Sequence, residues 1–110
     1  MASRKEYLDF ILEQLSELKD ISWRAMMREY ILYYRGKVIG GIYDDRFLVK
    51  PTKSALSMLP EADRQLPYDG AKEMLLIDNV KDKGFLRELI SAMYDELPAP
   101  KQRKKQQKKL

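Results

Sequence analysis

The segment YILYY-RG-KVIGGIY-DD-RFLVK, Tyr30–Lys50, decides the fold. Aromatic and β-branched residues crowd three short runs, Tyr30–Tyr34, Lys37–Tyr43 and Arg46–Lys50, separated by the dipeptides Arg35-Gly36 and Asp44-Asp45. Such residues fit a pleated, half-buried surface. Gly and Asp tolerate the backbone that two-residue hairpin turns require. The run Ser22–Arg28 just upstream has the same character, so an antiparallel meander of four strands is predicted. Gly40-Gly41 inside the third strand predicts a bulge or a close approach of the first helix.

The hairpin register gives the faces of this sheet. With two-residue turns, Tyr34 pairs with Lys37 and Tyr43 with Arg46. Strict alternation then puts Ile31, Tyr33, Val38, Ile42, Phe47 and Val49 on one face, expected to pack on helices. The other face collects Tyr30, Leu32, Tyr34, Lys37, Ile39, Tyr43, Arg46, Leu48 and Lys50, and a bulge at Gly40-Gly41 would alter the assignment beyond it. Three readings fit this aromatic, basic face. Cations and rings suit nucleic acid, with bases stacking on tyrosines. The residues Tyr30, Tyr34, Lys37, Tyr43 and Arg46 equally suit a protein partner or a homodimer. The segment 51–70 is the third candidate cover.

Outward from the meander, the elements are helical or short. Leu8, Ile11, Leu12, Leu15 and Leu18 recur at helical spacing over residues 4–19, behind a capping box formed by Ser3 and Glu6. After Pro51, Thr52 caps a short helix, Lys53–Leu59. Glu61–Gly70 reads as a loop and Glu73–Asp78 as a fifth strand. Asp82 caps a last helix over 83–97, whose apolar stripe runs from Phe85 to Leu97. The expected fold is α+β in the order α-β4-α-β-α, with helices on one face of a small antiparallel sheet.

Charge divides the chain of 110 residues into a domain, 1–97, and a Pro-containing linker with a basic tail, 98–110. Six of the 21 basic residues, Lys101, Arg103, Lys104, Lys105, Lys108 and Lys109, lie in 101–110, which hold no acid. Residues 1–100 therefore carry 15 basic against 17 acidic side chains, a net of −2, although the whole chain is +4. The tail cannot build a core and is expected to be disordered, and it offers nucleic acid a non-specific, salt-sensitive attraction.

Missing residues narrow the chemistry. With no Cys and no His, disulfides, thiolate nucleophiles, Cys/His zinc sites and Ser-His pairs are excluded. The lack of Cys fits a reducing cytoplasm. No apolar run reaches the length of a membrane span. Asp44-Asp45 reads as a turn rather than a carboxylate pair, and Asp78, Asn79 and Asp82 as loop and cap rather than ligands for Mg²⁺ or Ca²⁺. The glycines match no phosphate-binding fingerprint. Met26, Met27, Met58, Met74 and Met93 read as core filler. No cofactor, small molecule or catalytic group is implied, and the chain is expected not to be an enzyme.

The run Arg24-Ala25-Met26-Met27-Arg28-Glu29-Tyr30-Ile31-Leu32-Tyr33, followed by Gly36, Ile42-Tyr43-Asp44-Asp45 and Leu48-Val49-Lys50, resembles the N-terminal domain of the TfoX/Sxy family of competence regulators. Arg24, Met26, Tyr33, Gly36, Asp44 and Lys50 match that family's recurring positions. The resemblance spans about residues 5–97. It implies the family's α+β domain and a bacterial, non-catalytic role in regulation. Met27 stands where Phe is usual and Arg28-Glu29 where the pattern has Gly-Gly; if the glycine at that position serves a bulge or a positive φ, Arg28 requires a different local backbone. Full-length competence regulators continue into a second domain, where this chain has its basic tail. The resemblance thus implies a stand-alone relative of the N-terminal domain rather than competence control itself.

Overall fold

The structure is a computed structural model that describes residues 3–99. The tail cations Lys101, Arg103, Lys104, Lys105, Lys108 and Lys109 lie outside the described residues. The elements are α1 (Lys5–Gln14), β1 (Ile21–Met26), β2 (Glu29–Tyr34), β3 (Lys37–Tyr43), β4 (Arg46–Val49), α2 (Lys53–Met58), β5 (Arg64–Gln65), β6 (Met74–Leu76) and α3 (Lys83–Tyr94). Six antiparallel strands form one sheet in the order β1-β2-β3-β4-β6-β5. The expected α+β architecture is present, with one more strand than expected. That strand, β5, is two residues inside the expected loop Glu61–Gly70, too short for periodicity to reveal. Among the described residues no helix is long and apolar enough to cross a membrane.

All three helices pack on one face. Leu8 and Ile11 of α1, Ala55 of α2 and Leu86, Leu89, Ile90 and Met93 of α3 share one buried cluster with Leu32, Ile39, Ile42, Phe47, Val49 and Leu75 of the sheet. Thr52 and Asp82 cap α2 and α3 as expected, accepting from the Ala55 and Phe85 N–H groups at 3.2 and 3.0 Å. The helices are also tied to one another. Lys83 and Arg87 of α3 meet Glu13 and Glu17 at 3.0 and 2.9 Å, and Glu96 accepts two hydrogen bonds from Ser54. Those two bonds hold the Glu96 carboxyl below its ordinary pKa.

The Ser3–Glu6 capping box does not form. Arg4 is the N-cap residue and makes no side-chain cap. The Ser3 hydroxyl instead donates to Glu29 Oε1 at 2.6 Å and accepts from the Asp45 N–H at 3.0 Å. The helix entry is therefore fixed to the sheet's hairpin ends, which local sequence spacing does not report. At its other end α1 stops at Gln14, short of the expected residue 19. The Leu15 N–H is shared between the Ile11 and Leu12 carbonyls, so the chain tightens into turns that still carry Leu15 and Leu18 against the core.

A bulge in β3 reassigns half of the sheet's faces. Tyr33 pairs with Val38 but Leu32 pairs with Gly40, which leaves Ile39 as the extra residue. The parts of the sheet on either side of the bulge are thereby offset by one residue relative to each other. The helix-facing side consequently carries Tyr30, Leu32, Tyr34, Lys37 and Ile39, all expected on the opposite face. Ile31, Tyr33 and Val38 exchange with them. Past the bulge the expected assignment holds: Ile42, Phe47 and Val49 face the helices, while Tyr43, Arg46 and Leu48 face away. The glycines permit this geometry by having no side chain. A Cβ on Gly40 would lie 2.1 Å from the Leu48 carbonyl oxygen, and one on Gly41 2.5 Å from that of Tyr30. The neighbour that approaches is the sheet's own backbone, not the first helix.

Candidate functional site

Three two-residue turns shape the sheet's ends, and both residues of each have positive φ: Met27 and Arg28 at 53° and 70°, Arg35 and Gly36 at 51° and 84°, Asp44 and Asp45 at 54° and 55°. This is the type I′ hairpin turn, which matches the twist of the strands it joins. Arg28 thus keeps a left-handed backbone without glycine, contrary to the different local backbone that the resemblance would require there. Residues other than Gly, Asn and Asp rarely adopt such angles. That scarcity is why Ser22–Arg28 read as one strand instead of a strand ending at Met26.

The turns at 27–28 and 44–45 share one end of the sheet and are bound together. Glu29 Oε1 accepts from the Ser3 hydroxyl and from the Asp44 N–H at 3.1 Å. Asp45 accepts from the Arg4 backbone and guanidinium at 2.9 and 3.0 Å, and the Ser3 N–H donates to the Arg28 carbonyl. Asp44-Asp45 is a turn, as expected, and its second carboxylate anchors the start of α1.

Opposite this end, on the face away from the helices, the loop 66–69 leans over the sheet. Between loop and turns lies a groove of about 650 Å³. Met26 and Met27 form one wall and Leu66, Pro67 and Tyr68 the other, with Tyr43 and Arg46 between them. Met27 is 87% exposed, Tyr68 55% and Leu66 47%. Arg46 holds the loop in place: its Nε donates to the Tyr43 carbonyl at 3.0 Å, and Nη1 to Gln65 Oε1 at 2.6 Å. Its Nη2 lies 3.4 Å from the Leu66 carbonyl. The Tyr68 ring tilts against that of Tyr43, with centroids 6.1 Å apart. Burial, with the Tyr68, Glu29 and Tyr33 groups nearby, pushes the Tyr43 phenol up to about 12. Among the described residues, three carboxylates, Glu29, Asp44 and Asp69, line the groove, and Arg46 is the one cation that does. A second hollow of about 460 Å³ continues along the face past Ile31, Val38, Met74 and Lys50.

The residues singled out from sequence separate into two groups. Arg24, Met26, Tyr33, Tyr43, Arg46 and Lys50 lie on or beside the open face, and Gly36 and Asp44 are in turns. Tyr30, Tyr34 and Lys37 belong on the helix side because of the bulge. Tyr34 is 8% exposed with its ring edge-on to Tyr94. Lys37 Nζ donates to the Tyr94 carbonyl at 3.0 Å and sits 4.1 Å from that ring's centre, closing the C-terminal end of α3 with a cation. Tyr34 is thus buried and Tyr30 and Lys37 are half-buried on the helix side, so these three residues do not share one open face with Tyr43 and Arg46 as expected. The methionines divide as well. Met74 and Met93 are buried, as core filler should be, but Met26 and Met27 face solvent. Leu66, Pro67 and Tyr68 were missed; three apolar residues in a predicted loop were the available signal. Among the described residues no group of three Asp or Glu side chains is placed to hold a metal ion.

A six-stranded antiparallel sheet, helices on one face and a groove on the other, defines a small α+β domain with one carpeted and one accessible side. The chain is 32% identical over 105 residues to the uncharacterized 12.7 kDa protein in the trpE 5′ region of Spirochaeta aurantia, a match covering 94% of this chain and 91% of that one. It belongs to that protein's family. No family model matches the chain, and no solved structure does.

Proposed function

We propose that this domain is a non-catalytic binding module of the cytoplasm whose groove takes a short apolar segment bearing Lys or Arg from a protein partner. The role is regulatory, as the resemblance to the TfoX/Sxy N-terminal domain implies. One observation carries the reading: Met27 stands almost fully exposed, at φ 53°, facing Leu66 and Tyr68 across an open groove. A buried partner would repay both costs, since exposed apolar area that becomes covered is stabilising at about 25 cal/mol per Å². Charge selects the partner's chemistry. The carboxylates of Glu29, Asp44 and Asp69 favour cations, and the Arg46 guanidinium beside them is already engaged by Tyr43, Gln65 and Leu66.

Panning a peptide library against the full chain tests this. Enriched sequences should combine apolar residues with Lys or Arg, and Met27→Glu should weaken their binding at least about tenfold while the fold persists. Enrichment of acidic peptides, or binding indifferent to Met27→Glu, would reject the groove as the site.

A further inference from the structure

The sheet has two unlike edges. β5 is two residues long, between Pro60 and Pro67, and so offers little backbone to a newcomer. β1 runs six residues, is exposed from Ser22 to Met26, and holds no proline and one charge, Arg24. Its two-residue turn makes Met26↔Glu29 a hydrogen-bonded pair, so Arg24↔Ile31 and Ser22↔Tyr33 are the next bonded pairs at period two. The Arg35 N–H donating to the Asp20 carbonyl at 3.0 Å continues that alternation. The N–H and C=O groups of Ile21, Trp23 and Ala25 therefore point away from β2. Among the described residues, no strand lies on that side.

We infer that a second copy of this chain occupies this edge, pairing β1 antiparallel with the partner's β1 about a two-fold axis at Trp23. The choice of occupant rests on self-complementarity. With the axis at Trp23, that residue pairs with the partner's Trp23, and Ile21 and Ala25 pair with the partner's Ala25 and Ile21, giving about six hydrogen bonds. An axis at Ser22 or Arg24 gives about four, and the latter sets two guanidinium groups directly opposite each other, which is unfavourable. In the Trp23 register Arg24 instead lies opposite the partner's Ser22, with the partner's Asp20 on one diagonal and the partner's Arg24 on the other, so no two guanidinium groups stand directly opposite each other. The Trp23 ring, 41% exposed and edge-on to Tyr30 at 5.5 Å, gains an apolar neighbour on the axis. Two sheets become one continuous sheet, an isologous contact that closes on itself. This pairing is independent of the groove reading.

The chain has no cysteine, so cysteine pairs report the register cleanly. Across an antiparallel, non-hydrogen-bonded pair the Cα atoms are about 4.5 Å apart, within disulfide range. Full-length Ser22→Cys and Arg24→Cys chains, refolded together under mild oxidation, should cross-link to each other. Neither should do so alone, because each cysteine then lies more than about 7 Å from its own symmetry mate. Sedimentation of the unmodified chain should give twice the 13.0 kDa chain mass. Trp23→Pro should keep the monomer's circular dichroism, since the lost N–H points away from β2. It should weaken the dimer at least about tenfold, as expected for two lost hydrogen bonds. A monomeric unmodified chain, equal cross-linking of the single variants, or none in the mixture would overturn the inference.

Discussion

The two faces of the sheet come from the same strands and have opposite fates. On the helix side Leu32, Ile39, Ile42, Phe47 and Val49 are fully buried under three helices. On the other side Ile31, Tyr33 and Val38 are only half-covered, and among the described residues the roof is the segment around Pro67 and Tyr68, over Tyr43, Leu48 and Met74. Both faces are rich in apolar residues, so composition does not separate core from surface here. What separates them is cover, and cover is set by where the helices attach. Lys37 and Ser3 are those attachments, the first holding the end of α3 and the second the start of α1.

The contrast is broken most severely from the helix side. Phe47→Ala empties the largest fully buried side chain and should cost about 3–5 kcal/mol, enough to unfold a domain of this size in part. Tyr33→Ala, in the open-face half of the same sheet, should cost under about 1 kcal/mol. Denaturant melts of the two variants check both values. Equal losses would mean that the open face is covered as tightly as the core.

A smaller effect, of opposite sign, comes from the turn at the groove. Met27 and Arg28 hold left-handed backbone angles that cost side-chain-bearing residues roughly 1–2 kcal/mol each. Replacing them by Asn and Gly, which accept those angles readily, should stabilise the domain by about 1 kcal/mol, read as a rise in Tm. The same change removes the Met27 side chain and should weaken peptide binding. A gain in stability with a loss of binding would mark this turn as shaped by its partner rather than by the fold.

How much of this was legible in the sequence depends on the range of the forces involved. Strand and helix positions follow from local periodicity, and two of the three hairpin turns from Gly and Asp. The faces of Tyr30, Tyr34 and Lys37 were not legible, because one unpaired residue, Ile39, inverts every assignment on one side of it. Gly40-Gly41 signalled a bulge but not which residue is left over. Ser3 was misread for a related reason: its hydroxyl serves Glu29 and Asp45, far away in the chain, in preference to its own helix. The open-face placements of Tyr43 and Arg46 were legible, but the groove was not. Its second wall comes from a loop whose position is set by Arg46, through bonds to Tyr43, Gln65 and Leu66 that no spacing rule encodes.

The finest distinction between the faces is electrical and belongs to Tyr43. Its ring is on the open face, yet the roof formed by Tyr68 and Pro67 buries it, and its phenol is pushed up to about 12 by that burial, with Tyr68, Glu29 and Tyr33 adding to it. The folded protein thus keeps a proton that the unfolded chain releases near pH 10. The neutral phenol's contribution is complete below that pH and fades as pH rises from about 10 toward 12, because the unfolded state then binds fewer protons. Alkaline unfolding should therefore show a stability loss over this range that Tyr43→Phe reduces, with little change at pH 7. Tyr68→Ala lifts part of the roof, so it should bring the Tyr43 ionisation, followed by tyrosinate absorbance, down toward the ordinary value. An unmoved ionisation in Tyr68→Ala would show that the roof is not what shields this ring, and the open face would then be drier than its exposed neighbours indicate.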